Sequence, residues 1–427
     1  MKDALPSSET ARRPRVLVSS YRSHPHVGGQ GIYVRQLSRA LHDKNCDVTV
    51  VSGPPYPELD PGIALEKLPS LDLFEAENAF LAFRPRILAN KADRTEWLAH
   101  NTFGFGEMTS FGLRLEAFIA EHGSAFDVII DNQTLSDPMV RIAEQIPLIT
   151  VLHHPIAIDR DVAVANAGSW WRAALASRWH SFITAQARAV KALPHFLAVS
   201  EAARESYRER CGLAPEKAMI GLNGINHDNF YADPQIVRDD NHIVAVASAD
   251  VPVKGLDILI DALGLLRDRN CRPQLTVVGT LREGPTKRAI KAQKLTEQVQ
   301  FVSGLSDPDM ADLFRRASVF VSPSRFEGFG FPPAEAMACG APVIVSTGGA
   351  LPEVAGDAGI VVPVEDPDAL ADAIETVLND DALRHEIGQR CAERARNAFR
   401  WDIHAQAALD LYERATKTLE HTGAHTP

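Results

Sequence analysis

Several things are scarce in this chain, and each scarcity removes a class of protein. Cysteine occurs five times in 427 residues, at Cys46, Cys211, Cys271, Cys339 and Cys391. The number is odd and no pair forms a CxxC, so neither a disulfide framework nor a paired-cysteine zinc site is expected, and a reducing compartment suits the pattern. No window approaches the roughly 18 apolar residues of a spanning helix, and residues 1–15 lack the apolar core of a secretory signal. A cytoplasmic protein is expected, with peripheral attachment to the inner membrane face left open. Positive charge is also in deficit, with 44 Lys and Arg against 55 Asp and Glu and a net charge of -11. A nucleic-acid partner is therefore not expected, because nothing overall would neutralise a run of phosphates. One stretch lacks the opposite sign: no Asp or Glu stands between Val162 and Ser200.

What is present is an ordinary globular composition, 45% hydrophobic and 23% charged, long enough for two domains with their own cores. Residues 15–19 (RVLVS) read as a first strand. A glycine loop containing Gly28, Gly29 and Gly31 follows, then a helix over 32–42 and a strand over 48–51. The glycines of such a βαβ unit let the backbone approach a phosphate or a sugar, or merely make a tight connection. Residues 54–118 are irregular and rich in proline and aromatics, as surface structure or as part of a binding site. A strand over 126–130 leads to Asp131-Asn132-Gln133. Another, beginning at Pro147, ends in His153-His154, at the sheet edge where α/β proteins bind ligands. A structural hydrogen bond and a ligand contact both fit a histidine there. In the acid-free stretch, Arg172, Arg178, Arg188 and Lys191 stand among Trp170, Trp171, Trp179 and Phe182. It reads either as a face for an anionic membrane or as an interior helix turning its basic residues to an anionic ligand or solvent.

After a polar run over 232–241, strand and helix patterns alternate again. Strands are expected over 242–247, 275–279, 299–302 and 319–321, and helices over 256–267, 285–294 and 309–316, which implies a parallel sheet with right-handed crossovers. The last of these strands opens the most informative segment, Ser322 to Gly340. Gly328 and Gly330 free a tight turn, Pro332 and Pro333 suit the first positions of a helix, and Gly340 suits its end. A helix start of this kind aims backbone N–H groups and the positive dipole end at one point, which suits a phosphate. Glu327 precedes the turn and Glu335 is read in the first helical turn. A carboxylate accepts two hydrogen bonds side by side, so both suit vicinal sugar hydroxyls. Glu327 capping the turn and Glu335 favouring the dipole fit the spacing equally well.

The whole string, PSRFEGFGFPPAEAMACGAPVIVSTGGALPEV, is more specific than the spacing. It closely resembles the signature of retaining glycosyltransferases of family 4, with seven residues between the two glutamates. The resemblance implies an α/β protein of GT-B fold, two Rossmann-like domains with parallel sheets facing across a cleft. Residues 1–223 would form the acceptor-side domain with a crossing helix over 400–417, residues 224–241 the linker, and 242–399 the nucleotide-sugar domain. The implied function is retaining transfer of a sugar from a nucleoside-diphosphate sugar (UDP-, GDP- or ADP-linked) to a hydroxyl of a sugar, lipid-linked or small-molecule acceptor.

In that resemblance Lys254, within SADVPVKG, binds the diphosphate, and the backbone at Phe329, Gly330 and Phe331 caps the same phosphates. Glu335 holds the ribose and Glu327 the transferred sugar, while Gly28 and Gly29 lie against the donor. His153 matches a histidine that contacts the donor sugar near the reacting centre. His154 takes its place if the register slips by one, and otherwise lies on the acceptor side. His153, Glu327 and Lys254 are thus the expected catalytic residues. No metal and no cofactor is implied, since amides and a lysine would stabilise the leaving diphosphate. One departure stands out: Ala249 occupies a position where relatives carry arginine, and Arg282 is the candidate substitute. A nucleotide-sugar 2-epimerase-like isomerase and a non-catalytic nucleotide-sugar-binding protein are the alternative readings.

Overall fold

The computed structural model describes residues 12–25, 29–73, 86–165, 167–247 and 251–422. Two compact units form: one from residues up to 151 with 184–197 and the stretch from 405, the other from 152–183 with 198–404. The expected Gly28 and Ala249 lie outside the described residues.

Seven strands form the first sheet: β1 Arg15–Ser20, β2 Asp47–Ser52, β3 Ala64–Lys67, β4 Val128–Asn132, β5 Leu148–Leu152, β6 His195–Ala198 and β7 Ala218–Ile220, in the order β3-β2-β1-β4-β5-β6-β7. The pairs from β3 through β5 are parallel. Six strands form the second sheet: β8 His242–Val246, β9 Gln274–Val278, β10 Val299–Val302, β11 Val319–Ser322, β12 Val343–Ser346 and β13 Ile360–Val362, in the order β10-β9-β8-β11-β12-β13 and parallel throughout. These are two Rossmann-like α/β sheets. The central strands are continuous apolar runs because helices cover both faces, and Val16 to Val18, Ile129, Val319 to Val321 and Val343 to Val345 are all fully buried.

In each sheet the strand order reverses once, between β1 and β4 and between β8 and β11. Loops leaving the C-terminal ends of such a pair diverge and open a crevice. Lys254 follows β8 and Glu327 follows β11, so the second reversal sets them side by side.

The structure changes several expectations. The helix expected over 32–42 is Gly29–Asp43, because Gly31 lets its first turn cross the preceding loop. A Cβ on Gly31 would fall onto the His24 carbonyl oxygen. The part of the acid-free stretch that carries Trp170 and Trp171 is not an interior helix, whereas the Ile183–Ala192 helix, with Arg188 and Lys191, buries Ile183, Gln186, Ala189 and Val190. No residue of the Trp170–Trp179 helix is buried, and Trp170 is 82% exposed. Among the described residues no helix is long and apolar enough to cross a membrane.

Candidate functional site

The segment after β11 folds as a loop and then the Phe331–Ala338 helix, with Gly330 at its N-cap in the left-handed region at φ 103°. Pro332 and Pro333 occupy the first turn and carry no N–H. Of the usual orphan donors at a helix start, the amides of Gly330 and Phe331 therefore remain. The Phe329 and Phe331 rings turn into the protein: they meet edge-on at 5.2 Å, Phe329 meets Phe399 edge-on at 5.6 Å, and Phe331 stacks on Trp401 at 6.5 Å. This packing fixes the backbone of the turn.

Glu327 is held from two sides. Its Oε1 accepts hydrogen bonds from Lys254 Nζ at 2.7 Å and from the buried Ser324 Oγ at 2.8 Å. The loops carrying Lys254 and Glu327 are pressed together. Arg325 N–H donates to the Val253 carbonyl at 2.8 Å, and the Arg325 guanidinium pairs with Asp257 and Glu365. Gly255, at φ 63°, has no room for a Cβ against the Pro323 carbonyl. Gly349, at φ 62°, is likewise closed by the Glu327 carbonyl, which also accepts the Ala350 N–H at 2.9 Å. Glu327 thus sits on a loop braced by its neighbours, and its second carboxylate oxygen has no hydrogen bond among the described residues.

Both histidines lie beside this loop. A Cβ on Gly328 would overlap the His153 carbonyl oxygen, and the His154 ring lies 5.0 Å from Phe326. His154 Nε2 is 3.1 Å from Asp159 Oδ2, while its carbonyl accepts the Tyr207 hydroxyl at 3.1 Å. Burial, and then the proximity of His404, push the His153 imidazole down to about 3. At neutral pH its ring is uncharged, so it can exchange hydrogen bonds but carries no acidic proton to give away. Ser200 Oγ caps the Glu201–Cys211 helix through Ala203 N–H and donates to the Gly328 carbonyl at 2.6 Å.

Glu335 departs from expectation. The helix begins at Phe331, so Glu335 lies beyond the first turn and gains little from the dipole. Burial, followed by the nearby Asp307 charge, pushes its carboxyl up to about 8. At neutral pH it is mostly a neutral acid that both donates and accepts a hydrogen bond. Arg282, in the loop after β9, is exposed and makes no hydrogen bond or ion pair among the described residues. Gly29 is the first residue of its helix in the other unit and is exposed. That unit has a buried polar cluster of its own at the end of β4, where Asp131 accepts from Ser19 Oγ at 3.0 Å and Thr134 N–H at 2.8 Å. Burial pushes the Asp131 carboxyl up to about 6.

Sequence reasoning missed Ser324, the Gly348-Gly349 brace and Glu353. Glu353 accepts the N–H groups of Glu201 and Ala202 at 2.7 and 2.6 Å, capping a helix that starts 152 residues earlier in the chain. Ser324 and the glycines lie inside the quoted string, but their partners are set by packing rather than by spacing. Among the described residues no group of three or more His, Cys, Asp or Glu could hold a metal ion.

Comparison with known proteins agrees with this geometry. Residues 27–229 match the family model described as Glycosyltransferase Family 4, and residues 229–396 match that described as Glycosyl transferases group 1. The chain is 39% identical over 408 residues to the MMP alpha-(1->4)-mannosyltransferase of Mycolicibacterium hassiacum, covering 94% of this chain and 98% of that one. Its fold is similar to that of sucrose-phosphate synthase from Thermosynechococcus elongatus, with a TM-score of 0.72, 24% identity, and 95% and 100% of the two chains covered. It is also similar to Anabaena HepE in complex with UDP, with a TM-score of 0.63, 16% identity, and 95% and 100% covered. A braced glutamate paired to a lysine at a sheet's switch point, two matching models and a relative spanning nearly the whole chain lead to one conclusion: the protein belongs to glycosyltransferase family 4, with the GT-B fold.

Proposed function

We propose that the protein transfers a mannosyl unit from a nucleoside-diphosphate mannose to the 4-hydroxyl of a mannoside acceptor, with retention of the α configuration. The choice of sugar and linkage is supported by the likeness to the α-(1→4)-mannosyltransferase over 94% of the chain. The observation that carries glycosyl transfer itself is the Lys254–Glu327 pair beside the start of the Phe331–Ala338 helix.

In this reading the donor diphosphate lies at the amides of Gly330 and Phe331 and takes over Lys254. Glu327, released from the lysine but still bonded to Ser324, accepts hydroxyls of the mannose. Glu335, as a neutral acid, bonds the ribose. His153 contacts the donor sugar near its reacting carbon, and His154 stands on the acceptor side. The C1–oxygen bond to the diphosphate breaks as the acceptor oxygen bonds C1 on the same face. The acceptor proton passes to the departing phosphate oxygen, whose charge the amides and Lys254 stabilise without requiring a metal. Arg282 substitutes for the missing arginine at position 249. If Arg282→Ala leaves donor affinity untouched while Lys254→Ala abolishes it, that substitution is wrong.

The test is incubation with UDP-, GDP- and ADP-linked mannose and glucose, with and without short α-mannosides, reading products by NMR. A new α-(1→4) mannosidic linkage is expected. Transfer of glucose alone, or a β product, would overturn the assignment. Conversion of the sugar nucleotide with no acceptor would favour an isomerase instead.

The acid-free stretch supports a cytoplasmic enzyme that touches an anionic lipid surface. Trp170, Trp171 and Leu175 are 82%, 49% and 40% exposed, and Arg172 and Arg178 lie on the same short helix. Indole rings and guanidinium groups together suit the headgroup layer.

A further inference from the structure

Away from the Glu327 loop, the second unit contains a half-open cavity of about 410 Å³ that the proposed reaction does not use, although Cys339 and Gly340 at the end of the signature segment line it. Arg238, Arg315, Arg396 and His385 line it, and Asp233 is the one carboxylate among its lining residues. Three guanidinium groups against one carboxylate is an unusual local balance in a chain whose net charge is -11. Most anions would be repelled elsewhere on such a protein.

Two of the arginines are fixed in place by the backbone. Arg238 donates to the carbonyls of Arg315, Ala317 and Gly340. Arg315 donates to the carbonyls of Tyr231 and Asn229, both at 2.8 Å, and lies over the Tyr231 ring at 4.3 Å. Fastening residues 229–238 to the body of the unit accounts for these two. Arg238 Nε and Arg315 Nη1 keep their protons unspent among the described residues, and the held guanidiniums lose little freedom on meeting an anion.

Fastening does not account for the other wall. His385, Gln389 and Arg396 project from one face of the Asp381–Ala398 helix at near-helical spacing. Arg396 makes no hydrogen bond or ion pair among the described residues. His385 is bonded only to Gln389 among them, at 2.8 Å. The helix comes close because Gly388 has no side chain: a Cβ there would lie 2.5 Å from the Gly340 carbonyl oxygen. The cavity is therefore walled on one side by two held guanidiniums, Arg238 and Arg315, and on the other by a helix that presents one free guanidinium, Arg396.

We propose that this cavity binds a phosphorylated small molecule of sugar size, a hexose phosphate or its inorganic phosphate part, at a site separate from the sugar-nucleotide site. The open guanidinium fork of Arg396, with the remaining protons on Arg315 Nη1 and Arg238 Nε, matches phosphate oxygens. The volume lies at the small end of the range for small-molecule pockets, room for a sugar phosphate rather than a whole sugar nucleotide. Gly340 ends the same short segment whose start, at Gly330, faces the donor, so the two sites lie at opposite ends of the Phe331–Ala338 helix.

The test is calorimetric titration of the full chain with mannose 6-phosphate, inorganic phosphate and unphosphorylated mannose. Wild type, Arg396→Ala, His385→Ala and Lys254→Ala are compared. Both cavity substitutions are on exposed positions, and glycosyl transfer at wild-type rate checks that those variants fold. Mannose 6-phosphate is expected to bind wild type and Lys254→Ala alike, and Arg396→Ala about tenfold more weakly or worse. Weaker binding of inorganic phosphate would mark the sugar as part of the ligand, and equal binding would mark phosphate as the whole of it. Undiminished binding by Arg396→Ala and His385→Ala, loss of binding in Lys254→Ala, or no binding at millimolar concentration would each overturn the proposal.

Discussion

Lys254 and Glu327 neutralise one another across the switch point of the second sheet, Nζ to Oε1 at 2.7 Å. The lysine's charge is spent on the glutamate. The Lys254 side chain is 35% exposed, so the pair contributes at most about 1 kcal/mol to folding. Its weight falls on function.

Replacing Lys254 by Ala is therefore expected to lower kcat by about 10²–10³-fold while changing the melting temperature little. The double variant Lys254→Ala/Glu327→Gln should fall well short of the summed single losses, because each single change already unpairs the other group. Steady-state kinetics of the cycle, with melts of each protein, check this. Additive losses would show that the two groups act independently.

Ser324→Ala removes the second bond to Glu327 and leaves the lysine in place. A neutral donor to a carboxylate is worth about 1.5–3 kcal/mol, so kcat is expected to drop by about tenfold or more with KM for the acceptor unchanged. An equal rise in both KM values with kcat intact would place Ser324 outside the positioning of Glu327.

Glu335 gives a pH signature of definite sign. Its carboxyl is raised from 4.5 to about 8 by burial, so the folded state holds a proton that the unfolded chain has released. That contribution to stability is fully present below about 4.5, declines as pH rises, and is gone above about 8. Glu335→Gln cannot ionise, so it should gain on wild type as pH rises from 5 to 9. Urea melts at several pH values measure the difference. A constant offset would show the carboxyl to be ordinary.

Gly328→Ala should be poorly tolerated although the loop is partly exposed. The added Cβ meets a backbone oxygen, that of His153, and backbone yields less readily than a side chain. A loss of about 1–3 kcal/mol is expected, together with loss of activity. A variant as stable and active as wild type would mean that the two segments separate freely.

Vesicle co-sedimentation tests the tryptophan face. Binding to vesicles rich in anionic lipid should fall with salt and fall sharply in Trp170→Ala/Trp171→Ala. Equal binding by the double variant, or none by wild type, would remove the membrane from the account.

The sequence was most legible where burial alone dictates pattern. The apolar runs at 243–246, 275–278 and 319–321 admit little but buried parallel strands, and all three are strands. The turn after Ser322 was legible because proline and glycine each restrict the backbone in a known way. The ionisation of Glu335 was not, because it depends on how closely the Asp307–Arg316 helix packs nearby, a tertiary distance. Nor was the partnership of Lys254 with Glu327, 73 positions apart, which exists only because the strand order reverses between β8 and β11. The Trp170–Trp179 helix was ambiguous for a simple reason: aromatic and basic residues together describe a covered face and a bare one equally well.

Pro332 and Pro333 strip the helix start of two of its donors, and this has a chemical consequence. In the proposed reaction a pyrophosphate docking there meets a sparse set of amides, too few to satisfy its oxygens on their own. In that reading the shortfall passes to the Lys254 ammonium group, which arrives from a different strand. On that proposal, grip on the leaving group depends on whether that side chain has let go of its carboxylate, and the donor would be held firmly only once its diphosphate has displaced an internal tenant.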